Sequence, residues 1–162
     1  MENSRGIAIP GKRPFRRQAG SFLRFIRSVI DFEKTMISEK TIFEKLQLKS
    51  GRGMVIIDPP QGFLSHAGEL PPDAAISLEP TNTSLLLAFL PRQQELNEKF
   101  LSLASLVSEG GIFWIAYPKL SSKLSKDLNP DLINQFAAQQ GWTGVAMIAL
   151  DEDWSALRLK RI

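Results

Sequence analysis

The chain contains no cysteine and a single histidine, His66, and these shortages exclude several kinds of chemistry. Without cysteine there is no disulfide framework, zinc ribbon or thiol nucleophile. One imidazole without thiolates does not supply the ligand set of a transition-metal site. No Gly-x-Ser-x-Gly elbow is present, so a Ser-His-Asp triad has no support. We therefore predict no metal site and no catalytic residue, and we expect His66 to be an ordinary surface or partly buried histidine.

Long apolar runs are also missing from the sequence. No apolar stretch approaches the roughly 18 residues that a membrane-spanning helix needs. The lack of cysteine fits a reducing compartment, and together these features predict a cytoplasmic protein. Hydrophobic residues nevertheless make up 43% of the 162 positions, which is enough to bury one good core.

The positive charge is concentrated at the amino terminus. Residues 1–30 contain seven basic side chains and one acidic side chain, which gives this segment a net charge of +6. Because the whole chain carries +3, residues 31–162 carry −3. The basic pI therefore describes the amino-terminal arm and not the globular part, and it does not by itself indicate nucleic-acid binding.

This asymmetry divides the chain into a basic N-terminal extension, residues 1–35, and an α/β domain, residues 36–162. Residues 1–20 are rich in Gly, Pro, Arg and Ser, a composition typical of disorder. Over residues 21–30 the apolar side chains alternate with arginines in a pattern that predicts an amphipathic helix with basic flanks. The extension is thus expected to be partly disordered and partly helical.

Several interpretations of this extension remain open. Its helix docks on its own domain or on the second subunit of a homodimer, or residues 16–30 contact an anionic surface of lipid or nucleic acid. A further alternative is that residues 1–35 are not native. The pattern of a compact domain begins at Met36, which would then be the true start.

The centre of the domain is a predicted strand. Residues 112–117 form a continuous apolar and aromatic run, which is typical of a strand covered on both faces. Pro118 ends this run because it has no N–H to donate to a neighbouring strand. Gly110 and Gly111 come before it. They predict the left-handed end of the helix that the apolar periodicity of residues 92–107 indicates.

Strands and helices alternate through most of the domain, an order that predicts a doubly wound sheet. The other predicted strands are residues 54–57, 74–78, 84–90, 145–150 and 156–161. The other predicted helices are residues 38–48 with Ser38 as N-cap, residues 63–70, and residues 130–140 with Asn129 as N-cap. We therefore predict a three-layer α/β fold with a mostly parallel sheet of about six strands and an antiparallel C-terminal edge.

Polar side chains follow the predicted strands, at the edge where open α/β sheets bind ligands. Tyr117 ends the central strand, and Lys119 and Ser122 lie in the loop that follows it. Lysine and serine donors suit a phosphate or carboxylate there, the alternative being a solvated lysine loop. Asp58 and Gly62 follow the first strand. These residues are candidates for a strand-end ligand site.

Glu79 completes the candidate ligand-binding set. It ends the second predicted strand, 21 residues after Asp58, where an acidic side chain binds ribose hydroxyls in Rossmann-like folds. The alternative is a solvated glutamate before Pro80. Trp154, in the acidic segment between the last two strands, either caps a pocket or packs on the neighbouring strand.

The turn after the first strand lacks the glycines that a nucleotide or S-adenosylmethionine site needs for close approach of the backbone. It reads Asp58-Pro59-Pro60-Gln61-Gly62. The two prolines remove two N–H donors, and one glycine remains. We therefore predict no cofactor, and this turn does not support S-adenosylmethionine. An Asp-Pro-Pro sequence also occurs in amino-group methyltransferases, but there an aromatic residue follows directly.

Several motifs together resemble an uncharacterised bacterial family, a domain of unknown function related to the S-adenosylmethionine-dependent methyltransferase fold. The most specific of them are residues 114–122, which include Tyr-Pro-Lys and Ser-Ser, residues 126–128, and residues 151–158, which read Asp-Glu-Asp-Trp-Ser-Ala-Leu-Arg. The resemblance covers about residues 41–161. It implies a truncated methyltransferase-like sheet and no particular activity, because the family has no assigned chemistry.

Two functions follow as hypotheses from these features. The first is a non-catalytic binding or regulatory module with a methyltransferase-like fold, whose partner is another protein or a small anionic ligand. The second is a small enzyme or ligand sensor, S-adenosylmethionine-dependent or not, that uses a pocket at the strand carboxyl ends. In that pocket Lys119 would neutralise an anionic group and Glu79 would bind hydroxyls.

Overall fold

The computed structural model describes residues 23–27 and 40–162, and within these ranges six strands form one sheet. The strands are β1 (Gly53–Ile57), β2 (Ala75–Ser77), β3 (Thr83–Phe89), β4 (Val107–Pro118), β5 (Trp142–Ala149) and β6 (Trp154–Arg161). The helices of the second range are α1 (Ile42–Lys45), α2 (Phe63–His66), α3 (Gln93–Leu106) and α4 (Pro130–Gln139). Residues 23–27 are helical, as the pattern of the arm predicts. The predictions of disorder over residues 1–20 and of a start at Met36 lie outside the described residues.

The strand order in the sheet is β2-β1-β3-β4-β6-β5. Strands β1 to β4 are parallel, and β6 runs antiparallel to both of its neighbours, β4 and β5. The predicted α/β class with an antiparallel C-terminal edge is confirmed. The chain passes from β1 to β2 on one side and then to β3 on the other. The topological switch point therefore lies between the carboxyl ends of β1 and β3.

One face of the sheet, which we call face A, is covered by α3 and α4. Leu96, Phe100 and Leu103 of α3 are buried on it because their spacing places them on one side of the helix. The ring of Phe100 lies 5.5 Å from that of Phe113 in the central strand. Helix α4 begins as predicted, with Asn129 as N-cap accepting from a backbone N–H and proline at the first position.

The opposite face, face B, is covered in the second range by the short helices α1 and α2. The side chains of Ile42 and Phe43 are buried against it. Thr41 caps α1 in a capping box with Glu44, and the predicted cap, Ser38, lies outside the described residues. Helix α1 ends at Lys45 and is therefore a single turn. It is shorter than the periodicity over residues 38–48 predicts.

The glycine pair before the central strand does not end a helix, so that prediction is wrong. Helix α3 ends at Leu106, and Val107 is already extended. Gly110 has a φ of +76°, but it lies within β4, where the register with β3 shifts. Gly111 sits there so tightly that an added Cβ would lie 2.8 Å from the carbonyl oxygen of Ser108. The glycines therefore serve an irregular strand and not a helix cap.

Candidate functional site

The carboxyl ends of β1 and β3 carry an ion pair at the switch point. Asp58, the first residue after β1, accepts a hydrogen bond at Oδ2 from Nζ of Lys99 at 3.3 Å. Lys99 lies on α3, with the carboxylate of Glu95 4.0 Å from Nζ on the same helix. Asp58 has a φ of +55°, a conformation that non-glycine residues adopt rarely and mostly where the surrounding structure requires it.

The turn after Asp58 offers few backbone N–H donors to a ligand. Pro59 and Pro60 present no N–H to a ligand. Gly62 has a φ of +83° and precedes α2, and an added Cβ there would have no atom within 4 Å. The glycine is thus required by the backbone conformation and not by close approach of another group.

The loop after β4 is tied to the loop between β5 and β6. The backbone N–H of Lys119 donates to the carbonyl of Asp153 at 2.8 Å. The hydroxyl of Ser122 donates to Oδ1 of Asp153 at 2.7 Å. The predicted polar loop is therefore held by an acidic residue that was not among the candidates.

His66 reaches the same acidic loop from α2. Its Nε2 lies 3.2 Å from Oδ2 of Asp151, and its Nδ1 lies 2.9 Å from the carbonyl of Gly62. Through these two contacts the ring of His66 joins the turn before α2 to the acidic loop. The other carboxylate oxygen of Asp151 accepts from the backbone N–H groups of Asp153 and Trp154.

This link between His66 and Asp151 was missed because the residues are 85 positions apart in the chain. The sequence indicates only that Asp151 follows a predicted strand and that His66 lies in a predicted helix. Of the two alternatives for Trp154, the structure shows packing against the sheet. Its ring is buried and packs edge-on against Phe89, with centroids 5.0 Å apart.

The two remaining candidates lie in different surroundings. Glu79 is exposed after β2, and its backbone N–H donates to the hydroxyl oxygen of Ser77 at 3.1 Å. Tyr117 is buried on face A, where its hydroxyl donates to the sulfur of Met147 at 2.8 Å. Burial raises the pKa of Tyr117 above its usual range; a hydrogen bond with Ser155 offsets part of this rise, and the charge of Asp131 adds to it.

A separate pocket of about 500 Å³ lies on face B, below α1. Its walls come from α1, from the helical segment 23–27 and from strands β4, β5 and β6. The lining residues are Phe25, Lys40, Glu44, Lys45, Gln47, Trp114, Val145, Ala146, Ile148, Arg158 and Lys160. None of the six strand-end candidates lines this pocket. The described residues contain no cluster of side chains that could hold a metal ion, and no helix among them is both long and apolar enough to cross a membrane.

Comparison with known proteins shows the fold and nothing finer. No family model and no curated protein matches the chain. Among solved structures, DhpI in a complex with SAM and HEP is similar, with a TM-score of 0.50 and 9% identity over 90% of this chain and 93% of that one. A ribosomal protein L11 methylase from Lactobacillus delbrueckii subsp. bulgaricus matches with a TM-score of 0.48 and 13% identity, each chain being covered to 74%.

A TehB-like SAM-dependent methyltransferase from Corynebacterium glutamicum has a TM-score of 0.47 and 8% identity, over 91% of this chain and 100% of that one. At such low identity a likeness carries the fold alone. The chain has a methyltransferase-like α/β fold.

Proposed function

We propose that this chain is a non-catalytic binding or regulatory module built on a methyltransferase-like sheet. The observation that supports it is the pairing of polar side chains at the strand carboxyl ends. Asp58 pairs with Lys99, and the hydroxyl of Ser122 bonds the carboxylate of Asp153. These groups satisfy one another, and in this arrangement they are not directed at a common reacting atom as general acid–base catalysis requires.

The turn after β1 supports the same proposal. A methyl-transfer reaction needs a bound methyl donor, and the Pro59-Pro60 backbone offers it no N–H donors at this turn. A protein that uses the fold for recognition alone has no such need. We place this module in the cytoplasm, in line with the absence of cysteine.

The proposal is tested by thermal unfolding of the full chain with S-adenosylmethionine and S-adenosylhomocysteine. A ligand at a hundred times its dissociation constant stabilises a protein by about 2.7 kcal/mol, which is easily detected. We expect no shift in Tm with either compound. A concentration-dependent rise in Tm, together with methyl transfer to components of a bacterial extract, would overturn the proposal.

A small enzyme or ligand sensor is the second candidate function. The left-handed conformation of Asp58 beside Lys99 favours it, because unusual backbone conformations concentrate at functional sites. Its pocket would use the six strand-end residues, with Lys119 facing an anionic group and Glu79 facing hydroxyls. If a phosphorylated metabolite raises the Tm, Lys119→Ala and Glu79→Ala should each abolish the rise. The control is Lys123→Ala, an exposed lysine of the same loop.

The amino-terminal arm adds a proposal of its own, contact of residues 16–30 with an anionic surface. Within its described part Leu23 and Phe25 are exposed, whereas Ile26 is buried. Burial of Ile26 favours the interpretation in which the helix docks on its own domain. Equal binding of the full chain and of a chain starting at Met36 to anionic vesicles and to DNA would remove the proposed surface contact.

A further inference from the structure

The alternation of β6 places two basic side chains on face B. Side chains on a strand point to opposite faces in turn, so residues 154, 156, 158 and 160 share one face. Trp154 and Ala156 belong to the buried cluster of face B, whereas Leu157 and Leu159 belong to that of face A. The next positions on face B are Arg158 and Lys160. A basic pair thus occupies the place where the pattern of the other strands would put hydrophobic residues.

Arg158 lies between two neighbouring strands. Its Cα pairs with that of Trp114 in β4 on one side and with that of Ala146 in β5 on the other. All three residues line the pocket of about 500 Å³ below α1. This volume is in the range of about 300–1,000 Å³ that small-molecule sites occupy.

The side chain of Arg158 carries one buried donor without a hydrogen-bond partner in this pocket. Its Nε is buried and makes no hydrogen bond with the protein. A buried donor without an acceptor costs about 1–3 kcal/mol, so such groups are rare and mark an absent partner. Guanidinium groups bind carboxylates and phosphates through two parallel N–H bonds, one of which Nε can supply.

Neighbouring polar groups of the pocket are already engaged. The indole N–H of Trp114 donates to the carbonyl of Leu46 at 3.0 Å. Glu44 accepts at Oε1 from the backbone N–H of Thr41, which holds its carboxylate at the end of α1. Among the described residues, the lining contains four basic side chains and this one acidic side chain.

We propose that the pocket on face B is a binding site for a small organic anion, with Arg158 as the residue that binds its carboxylate or phosphate. The apolar part of the anion would lie against Phe25, Trp114 and Ile148, which line the same space. The site is separate from the strand carboxyl ends. Arg158 lies four residues along β6 from Trp154, or about 13 Å, and Trp154 pairs with the last residue of β4.

The inference is tested by nuclear magnetic resonance titration of the full chain with phenyl phosphate, benzoate and the neutral analogue phenol. We expect the resonances of the Arg158 Nε–H and the Trp114 indole N–H to shift with at least one of the two anions, with a dissociation constant of about 1 mM or tighter. Phenol should bind at least about tenfold more weakly, because it cannot accept a charge-assisted bond from the guanidinium. This titration needs no variant, so a folding defect cannot mask its result.

Variants provide the second part of the test. Arg158→Lys keeps the charge and loses the planar pair of donors, so it should weaken anion binding about tenfold. Arg158→Gln should weaken it further. Arg52→Gln, which removes one exposed charge outside the pocket, should leave it within about twofold. The inference is overturned if neither anion shifts the Arg158 Nε–H, if phenol binds as well as the anions, or if Arg52→Gln and Arg158→Gln have the same effect.

Discussion

The two faces of the sheet are built differently. Face A is covered by α3 and α4, with 14 and 10 residues, and its inner layer contains aromatic rings in edge and tilted contacts. In the part of the chain from residue 40 onward, face B is covered by α1 and α2, with four residues each. A single helical turn covers less of a sheet than a long helix does. Face B therefore has room for a pocket beside its short helices, whereas the long helices of face A cover the sheet.

The difference separates stability from recognition. Face A buries Phe100, Phe113 and Tyr117 in a continuous apolar cluster, which is what a folding core requires. Face B has its own apolar cluster around Phe63, Phe89 and Trp154, but the sheet beside it presents Arg158. A polar residue that weakens packing is retained most readily where it serves binding. The four predictions below test this division of roles.

The largest effect is expected for Phe100→Ala. Phe100 is fully buried between α3 and the sheet, where a truncated ring leaves a cavity that two long helices cannot close. We expect a loss of about 3–5 kcal/mol in the free energy of unfolding. Phe43→Ala, in the short α1, should cost less because a single turn can move into the space. Denaturant unfolding measures both losses. A larger loss for Phe43→Ala would contradict the assignment of the main folding core to face A.

The next effect is a loss of stability at alkaline pH. Because the pKa of Tyr117 is higher in the folded chain than in the unfolded one, folding favours the protonated phenol. Its contribution to stability is complete below the unfolded pKa of about 10 and is lost as pH rises above it, at up to about 1.4 kcal/mol per pH unit.

Tyr117 is the only tyrosine of the chain, so tyrosinate absorbance follows this one group. Denaturant unfolding between neutral and alkaline pH should show a steeper loss of stability for the natural chain than for Tyr117→Phe, which also reports the background from lysines. Identical slopes for the two proteins would contradict the burial of this phenol.

A smaller effect with the opposite sign is expected for Arg158→Met. The substitution keeps the length of the side chain and removes a buried Nε without a partner. We expect the free energy of unfolding to rise by about 1 kcal/mol, while anion binding is lost. Arg52→Met is the matched control, with no expected change. A loss of more than about 1 kcal/mol in Arg158→Met would mean that Arg158 is a structural residue.

The smallest effect is expected for Lys99→Ala at the strand ends. Its partner Asp58 has a side chain that is 62% exposed, and exposed ion pairs contribute little. We expect a change of at most about 0.5 kcal/mol in stability. Lys126→Ala, an exposed lysine of the loop after β4, is the reference for loss of one charge. A clearly larger loss in Lys99→Ala would show that the switch point is held by this pair.

Much of the sheet could be predicted because its strands are short apolar runs separated by prolines, glycines and caps. The strand β4 and the helix that begins after Asn129 are examples, since their local signals agree with the tertiary structure. The pair Gly110-Gly111 was wrongly predicted to end a helix, because a left-handed glycine suits a bulged strand as well as a helix end.

The missed features depend on contacts between distant residues. His66 and Asp151 meet only when α2 and the β5–β6 loop come together at the same edge of the sheet. The place of Arg158 on a covered face depends on its register with β4 and β5, which local sequence does not determine. The alternation of β6 was visible in the sequence, but it did not show that a pocket would lie above it.

The most direct test of the proposed function is chemical-shift mapping of the full chain titrated with S-adenosylhomocysteine. The non-catalytic proposal predicts no saturable shift at Asp58, Gly62 or Lys99 up to about 1 mM ligand, a limit that corresponds to about −4 kcal/mol of binding free energy. Saturable shifts confined to those three residues would contradict it. They would mean that the turn after β1 accepts the cofactor in spite of its two prolines.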